Sequence, residues 1–308
     1  MDRKPVSDLI EPLRRRWPHR RPRGRRRILE STALLPGLLT IGNGLSGFAA
    51  IHFATKDALG QAALSNLVAG AYCIFLAMFF DMLDGRVARM TRRTTDFGGQ
   101  LDSLCDVISF SAAPAMLMLR TVITVVRAHQ IAPIAMVTHT VGMERVIWCI
   151  AGLFVACGVL RLARFNVENV PDESAHMNFQ GLPVPGAAAP VAALVLLFEH
   201  LTQIESGWRS QPWLLGTVAV ALPMVSLAVG LLMVSRLRYT HLINQYLRGR
   251  RPFGYLVKIV IIGLAGMLDP YVTLAVVTIV YAFSGPGGAV WRWLRYRLRG
   301  KGASAGAV

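Results

Sequence analysis

Residues 79–110 read FFDMLDGRVARMTRRTTDFGGQLDSLCDVISF, a stretch with five aspartates and four arginines. Apolar sequence runs up to Asp81 from one side and resumes after Asp106 on the other. The surrounding composition places this cluster in a bilayer. Of 308 residues, 54% are hydrophobic and only 16% charged, with a mean hydropathy of +0.46, whereas soluble domains carry about 25% charged residues. The net charge of +16 does not point to nucleic acid, because the arginines gather at the ends of apolar runs and not on a soluble domain.

Outward from the cluster, apolar segments lie at 34–54, 62–88, 99–126, 145–165, 183–203, 213–235, 255–268 and 270–284. A helix needs about 20 residues to cross the hydrocarbon core. The last two segments are short, and Asp269-Pro270 between them reads as a tight turn joining two brief helices. The expected fold is an all-α integral membrane protein of about eight transmembrane helices. Residues 1–30 form a basic tail (RRRWPHRRPRGRRR at 14–27), too arginine-dense for the start of a cleaved signal peptide and expected to be disordered. Such a tail also suits contact with anionic headgroups.

Loop charges set the orientation. The loops 89–98 and 236–254 and the tail WRWLRYRLRGK at 291–301 are rich in arginine, while 55–61, 127–144 and 204–212 are poorer. An even number of spans puts both basic ends in the cytoplasm. Cys73, Cys105, Cys149 and Cys157 all fall in apolar segments without CxxC spacing, so they read as small buried hydrophobes, with neither disulfide nor zinc. Trp148, Trp208, Trp213, Tyr255 and Trp291 at segment ends suit an interfacial belt. The scattered histidines show no ligand spacing.

Asp81 and Asp84 are three residues apart on one helix, and Asp102 and Asp106 four apart on the next, so each pair shares a face. Gly85 and Ala88 keep the surface beside the first pair free of bulk. Folded as an antiparallel pair, the two helices gather four carboxylates at the cytoplasmic boundary. Four anions at close range repel strongly in a medium of low dielectric. Hard divalent cations (Mg²⁺, Mn²⁺ or Ca²⁺) relieve that with all-oxygen ligation, and a two-metal site suits phosphoryl transfer. The bland alternative pairs the aspartates with Arg86, Arg89, Arg92 and Arg93; four acids interleaved with small residues make it the weaker reading. Asp96, outside the pattern, reads as a solvated turn residue.

The eight fixed positions fit D-x2-D-G-x2-A-R-x8-G-x3-D-x3-D, and on them the chain resembles the CDP-alcohol phosphatidyltransferase family. The resemblance implies a six-helix core, with the last two helices as a C-terminal hairpin. The domains expected are the tail 1–30, a transmembrane domain 31–238, a loop and hairpin 239–290, and a basic tail 291–308. It implies transfer of a phosphatidyl or similar group from a CDP-linked donor to an alcohol. Asp81, Asp84 and Asp102 are then the main metal ligands, for two divalent ions, Mg²⁺ or Mn²⁺. Asp106 is the catalytic base and also touches one metal. Gly85 makes room for the cytidine nucleotide, Arg89 pairs with its phosphates, Thr95 adds a hydroxyl there, and Gly98 lets the next helix start close to the donor. Without a Ser–His or Cys–His pair nearby, direct transfer is expected.

Three further stretches bear on the acceptor. LLPGLLTIGNGLSGFAAIHFA at 34–54 carries Asn43 among small residues; VLRLARFNV at 159–167 places Arg161, Arg164 and Asn166 at a cytoplasmic helix end; FQGLPVPGAAAP at 179–190 and MVSRLRY at 233–239 follow. With these the chain is similar to bacterial and archaeal phosphatidylserine synthases of the family, although Gly37 stands where their opening usually has asparagine. Asn43 is then a donor contact. The resemblance implies CDP-diacylglycerol and L-serine as substrates among membrane lipids, no nucleic acid, and a homodimer in the cytoplasmic membrane. From the residues, Arg164 is suited to hold the acceptor carboxylate, or equally to flank a helix. Glycerol 3-phosphate or an inositol-type acceptor is the alternative within the class. A divalent-cation transporter is the alternative outside it, weakened because no other span carries matching acids.

Overall fold

A computed structural model describes residues 23–56, 61–91, 96–129, 141–168, 181–203, 212–237, 239 and 262–304. Among these every regular element is helical. Helix α1 spans Arg23–Thr55 and α2 spans Gln61–Thr91. The third span is composite: α3 (Asp96–Asp106), a π-helical turn (Val107–Ala112) and α4 (Ala113–His129). Then come α5 (Val141–Glu168), α6 (Val184–Gln203), α7 (Pro212–Val234), a short helix α8 (262–268) and α9 (Pro270–Ser304).

Among the described residues, six helical stretches are long and apolar enough to cross a membrane: Leu35–Thr55, Ser65–Ala88, Phe97–Thr124, Glu144–Val167, Val184–Thr202 and Pro270–Arg292, with Val220–Val234 a shorter apolar helix. Of the expected span 255–268 only 262–268 falls within the described residues, so an eighth crossing is not established. Helix α1 already begins at Arg23, within the expected tail, and residues 1–22 lie outside the description.

Helix α6 is the hub. It packs against α2, α4, α7 and α9, and Ala187, Ala188, Val191, Ala192 and Ala193 are wholly buried. Alanines suit that place, because helices in lipid associate through close backbone approach. The outer helices leave large apolar side chains exposed, Phe48 and Trp148 among them, as lipid-facing surfaces require. All four cysteines are free. Cys105 and Cys157 are buried as expected, but Cys73 is half-buried and Cys149 exposed, because in a bilayer a small apolar residue is equally at home facing lipid.

Helix α9 departs most from expectation. The apolar segment was expected to end at 284, before Gly285-Pro286-Gly287-Gly288, yet the helix runs unbroken to Ser304. Pro286 has no N–H, so the carbonyl four residues back, on Ala282, loses its helical donor. The Tyr239 hydroxyl supplies one at 2.9 Å. Burial, with Tyr281 adding, pushes this phenol up to about 12, so it remains a donor at neutral pH. Gly285 makes the contact possible: a Cβ there would meet the Tyr239 ring at 2.5 Å.

At its other end α9 is capped by Asp269, whose Oδ1 accepts from the Val272 N–H at 3.2 Å, with Pro270 at the first helical position. His200 of α6 places Nε2 3.4 Å from Asp269 Oδ2, without hydrogen-bond geometry, and stacks its ring on Tyr271 at 4.6 Å. The segment before α6 is sewn to the end of α7. The Gly181 N–H donates to Leu237 O at 2.8 Å and that of Leu182 to Leu232 O at 3.1 Å. Gly181 has φ +88°, and a Cβ there would run into Met233 O, so both backbone and space call for glycine.

Candidate active site

Asp81 ends the apolar part of α2, and Asp102 and Asp106 lie one turn apart on α3. Oxygens of these three carboxylates all lie within 4.8 Å of one another. Asp84 does not join the trio. A three-residue step on a helix rotates about 300°, which turns Asp84 toward α1, where its Oδ2 accepts from Thr40 Oγ1 at 3.0 Å. Asp106, 8% exposed, accepts through Oδ1 from the Nδ2 of wholly buried Asn43 at 2.9 Å. So α1 holds one aspartate from each neighbouring helix.

The residues of α1 that do this form one stripe: Thr40, Asn43, Gly44 and Gly47, spaced i, i+3, i+4, i+7. The two glycines let α1 press onto the carboxylate-bearing span. A Cβ at Gly44 would meet Cys105 Sγ at 2.8 Å, and one at Gly47 would meet the Ser109 Cα at 2.5 Å. Sequence reading singled out Asn43 and passed over Thr40, although the stripe was visible as TIGNGLSG at 40–47.

The π turn directly after Asp106 was not foreseen. The N–H of Ala113 reaches Ile108 O, five residues back, and such turns gather at functional sites. Ser109, Phe110 and Ser111 in it are wholly buried. Ser109 Oγ donates to Asn43 O at 2.9 Å, and on the other side Ser111 fits against Gly158 of α5, where a Cβ would meet the Ser111 Cβ at 2.9 Å. The turn is wedged between α1 and α5 by serines against glycines. One added residue rotates the downstream face by about 100°, so α3 can point its aspartates into the cluster while α4 keeps its apolar face in the core.

Other candidates fall as follows. A Cβ at Gly85 would meet nothing within 4 Å, so the surface beside Asp84 is open. Gly98 lies in the first turn of α3. Arg89 belongs to α2, but its side chain is outside the described residues, and Thr95 is outside them altogether. Asn166 of α5 exchanges hydrogen bonds with Ser103 at 3.0–3.1 Å, fastening the end of α5 beside Asp102. Arg164 is half-buried. Arg161, one turn earlier, is also half-buried, with its guanidinium 5.7 Å from the centroid of the Phe165 ring. Arg236 is exposed, and Arg238 is outside the description.

The donor set fits a divalent cation. Three carboxylates converge there, and Asp102 Oδ1 is buried without a hydrogen-bond partner. Convergent carboxylates repel one another in a medium of low dielectric, and hard all-oxygen sites favour Mg²⁺, Mn²⁺ or Ca²⁺. Thr40 orients one acid from outside the trio. Thr40→Val keeps the shape and removes the donor, and should weaken metal activation roughly tenfold. A Mn²⁺ titration of turnover checks this; an unchanged half-activation concentration would separate Asp84 from the metal.

Comparison with known proteins matches residues 33–232 to the family model described as CDP-alcohol phosphatidyltransferase. Among similar proteins, the CDP-diacylglycerol--serine O-phosphatidyltransferase of Helicobacter pylori is 31% identical over 206 residues, 67% of this chain and 71% of its own length. The archaetidylserine synthase of Methanothermobacter thermautotrophicus is 32% identical over 213 residues, 68% and 71% of the two chains. The CDP-diacylglycerol--serine O-phosphatidyltransferase of Mycobacterium bovis is 27% identical over 264 residues, 85% and 79%.

Proposed function

This chain belongs to the CDP-alcohol phosphatidyltransferase family, and from that premise we propose that it transfers the phosphatidyl group of CDP-diacylglycerol to the hydroxyl of L-serine, giving phosphatidylserine and CMP. The observation that carries the reading is the carboxylate trio within 4.8 Å, braced by Asn43 and set where the apolar spans reach a membrane boundary. The serine acceptor rests on the LRLARFN, GLPVP and SRLRY segments and on relatives whose names include serine.

In this reading Asp81, Asp84, Asp102 and Asp106 hold two divalent ions, Mg²⁺ or Mn²⁺. Bound there, the metals would neutralise the pyrophosphate and favour CMP as a leaving group. The protein supplies the rest. Asp106 takes the hydroxyl proton as the serine oxygen bonds to the lipid-bearing phosphorus and the bond to the CMP oxygen breaks. Asn43 engages one oxygen of Asp106 and leaves the other for that proton. Gly85 and Gly98 leave room for the nucleotide, with Arg89 and Thr95 on its phosphates. Diacylglycerol tails remain in the bilayer while cytidine faces the cytoplasm. Both termini are cytoplasmic by the distribution of arginine, and a homodimer is proposed on the family resemblance alone.

The test is CMP release by purified protein in detergent with CDP-diacylglycerol and Mn²⁺, adding serine, glycerol 3-phosphate or inositol separately. Release with serine alone is expected. Chelation should abolish it, and either Mg²⁺ or Mn²⁺ should restore it. Release with another acceptor would overturn the serine assignment and keep the chemistry.

A further inference from the structure

Contacts along α6 fix the end of the bundle from which α9 leaves. At its start, Tyr271 stacks on His200 near the end of α6 at 4.6 Å. Further along, Tyr281 lies over Gly186 at the start of α6, where a Cβ would come within 2.7 Å of its Cε1. Helix α9 therefore runs antiparallel to α6, and its far end emerges where α6 begins. That is the site end, because α5, which leads into α6, closes there with Asn166 bonded to Ser103 beside Asp102 at 3.0–3.1 Å. Helix α9 does not stop at the membrane boundary. Its apolar crossing ends at Arg292, yet the helix continues to Ser304, beyond the 33–232 region matched by the family model. From Arg292 to Lys301 the sequence holds five basic residues (Arg292, Arg295, Arg297, Arg299 and Lys301), and no acid follows Asp269.

We propose that this extension is a docking arm for anionic phospholipid headgroups on the site's own face of the membrane. Arg292 and Arg295 are both exposed and stand three positions apart, so they neighbour one another on the helix surface. The Arg295 guanidinium lies 5.1 Å over the ring of Trp291, which is 57% exposed. An exposed indole at the end of a membrane span settles at headgroup depth, and the cation stacked on it is held there too. Arg292 and Arg295 are separated by about 4.5 Å along the axis, within a headgroup layer about 5–8 Å thick on each side. The other three basic positions lie further out, within roughly a Debye length of that layer. The inner pair is placed to grip phosphates as bidentate donors, and the outer charges draw anionic lipid toward them. Orienting a chain asks only for positive charge near the end of a span. A continuous helix that spaces five cationic positions, with no acid to offset them, goes beyond that need. The donor in the reaction proposed above is itself an anionic lipid, a diacylglycerol carrying a pyrophosphate. In this the inference rests on that reading: the arm gathers the donor beside the site.

The test places the full chain in phosphatidylcholine vesicles with a trace of spin-labelled phosphatidylglycerol or spin-labelled phosphatidylcholine. The fraction of each label immobilised at the protein is read. Wild type should hold the anionic label in preference, and the preference should fall as salt rises. Arg292→Gln/Arg295→Gln should reduce it at least about twofold at unchanged thermal stability, whereas Arg292→Lys/Arg295→Lys should keep most of it. Equal preference in wild type and the glutamine variant overturns the inference. So does a wild type that shows no lipid preference and instead binds a short single-stranded oligonucleotide through these arginines, since the partner is then a soluble polyanion. This readout needs no turnover, so it decides the matter even where no acceptor releases CMP and the proposed reaction falls. With turnover, in mixed micelles of a nonionic detergent, the glutamine variant should raise the CDP-diacylglycerol KM about threefold as a surface mole fraction. Acceptor KM and kcat should stay within about twofold. A lost lipid preference with an unchanged donor KM overturns the donor-gathering role and keeps the headgroup docking.

Discussion

Asp106→Asn should leave a folded protein that releases CMP at least about a thousand-fold more slowly, within the range expected for losing a general base. Asparagine has the same shape, and its oxygen still accepts from Asn43, so the link between α1 and α3 survives. The variant cannot take a proton from the acceptor, and it brings one less negative charge to the cluster. The measurement is kcat at saturating acceptor and Mn²⁺, with thermal unfolding as the control. A kcat within about tenfold of wild type, at unchanged stability, would take the proton-accepting role away from Asp106.

The second large effect is expected far from any reacting atom. Gly47→Val places a branched side chain where even a Cβ would come 2.5 Å from the Ser109 Cα. Backbone cannot yield as a flexible side chain does, so α1 and the π turn must separate. That breaks the Ser109 bond to Asn43 O and shifts Asn43 from Asp106. A displacement of about 1 Å at a catalytic group can cost a hundred-fold in rate, and overpacking costs about 1–3 kcal/mol. Turnover should fall by about two orders of magnitude or more, with a lower unfolding temperature. Gly37→Ala is the control on the same helix, since a Cβ there meets nothing within 4 Å. If Gly47→Val retained full turnover, the close approach of α1 would have no part in shaping the site.

Much of this arrangement was legible in the sequence. Charges in an apolar chain stand out, so the Asp81–Asp106 stretch located the cluster and the family before any fold was known. Helix limits followed from apolar run lengths, as with 183–203 expected and Val184–Gln203 observed. What escaped has physical reasons. The i, i+3 spacing of Asp81 and Asp84 was read as one face, and the residual rotation that brings Asp84 to Thr40 was not drawn from it. The π turn leaves no trace in composition, because VISFSA is as apolar in one helical form as another. Helix α9 was cut short at a Gly-Pro-Gly-Gly stretch that breaks helices in water. The residue that repairs the break, Tyr239, is 43 positions from the carbonyl it serves.

That repair has a consequence for how the molecule is made. The spans that precede it in the chain enter the membrane before α9, and just past the end of α7 a buried tyrosine then waits for an acceptor that has not yet been synthesised. When α9 follows, it carries a carbonyl that its own backbone cannot satisfy, and an unpaired carbonyl in hydrocarbon is costly. Each is the other's remedy. The late helix is therefore drawn to a single rotational setting beside its predecessors as it arrives, and the bundle keeps a built-in check that the chain has been read through to that point.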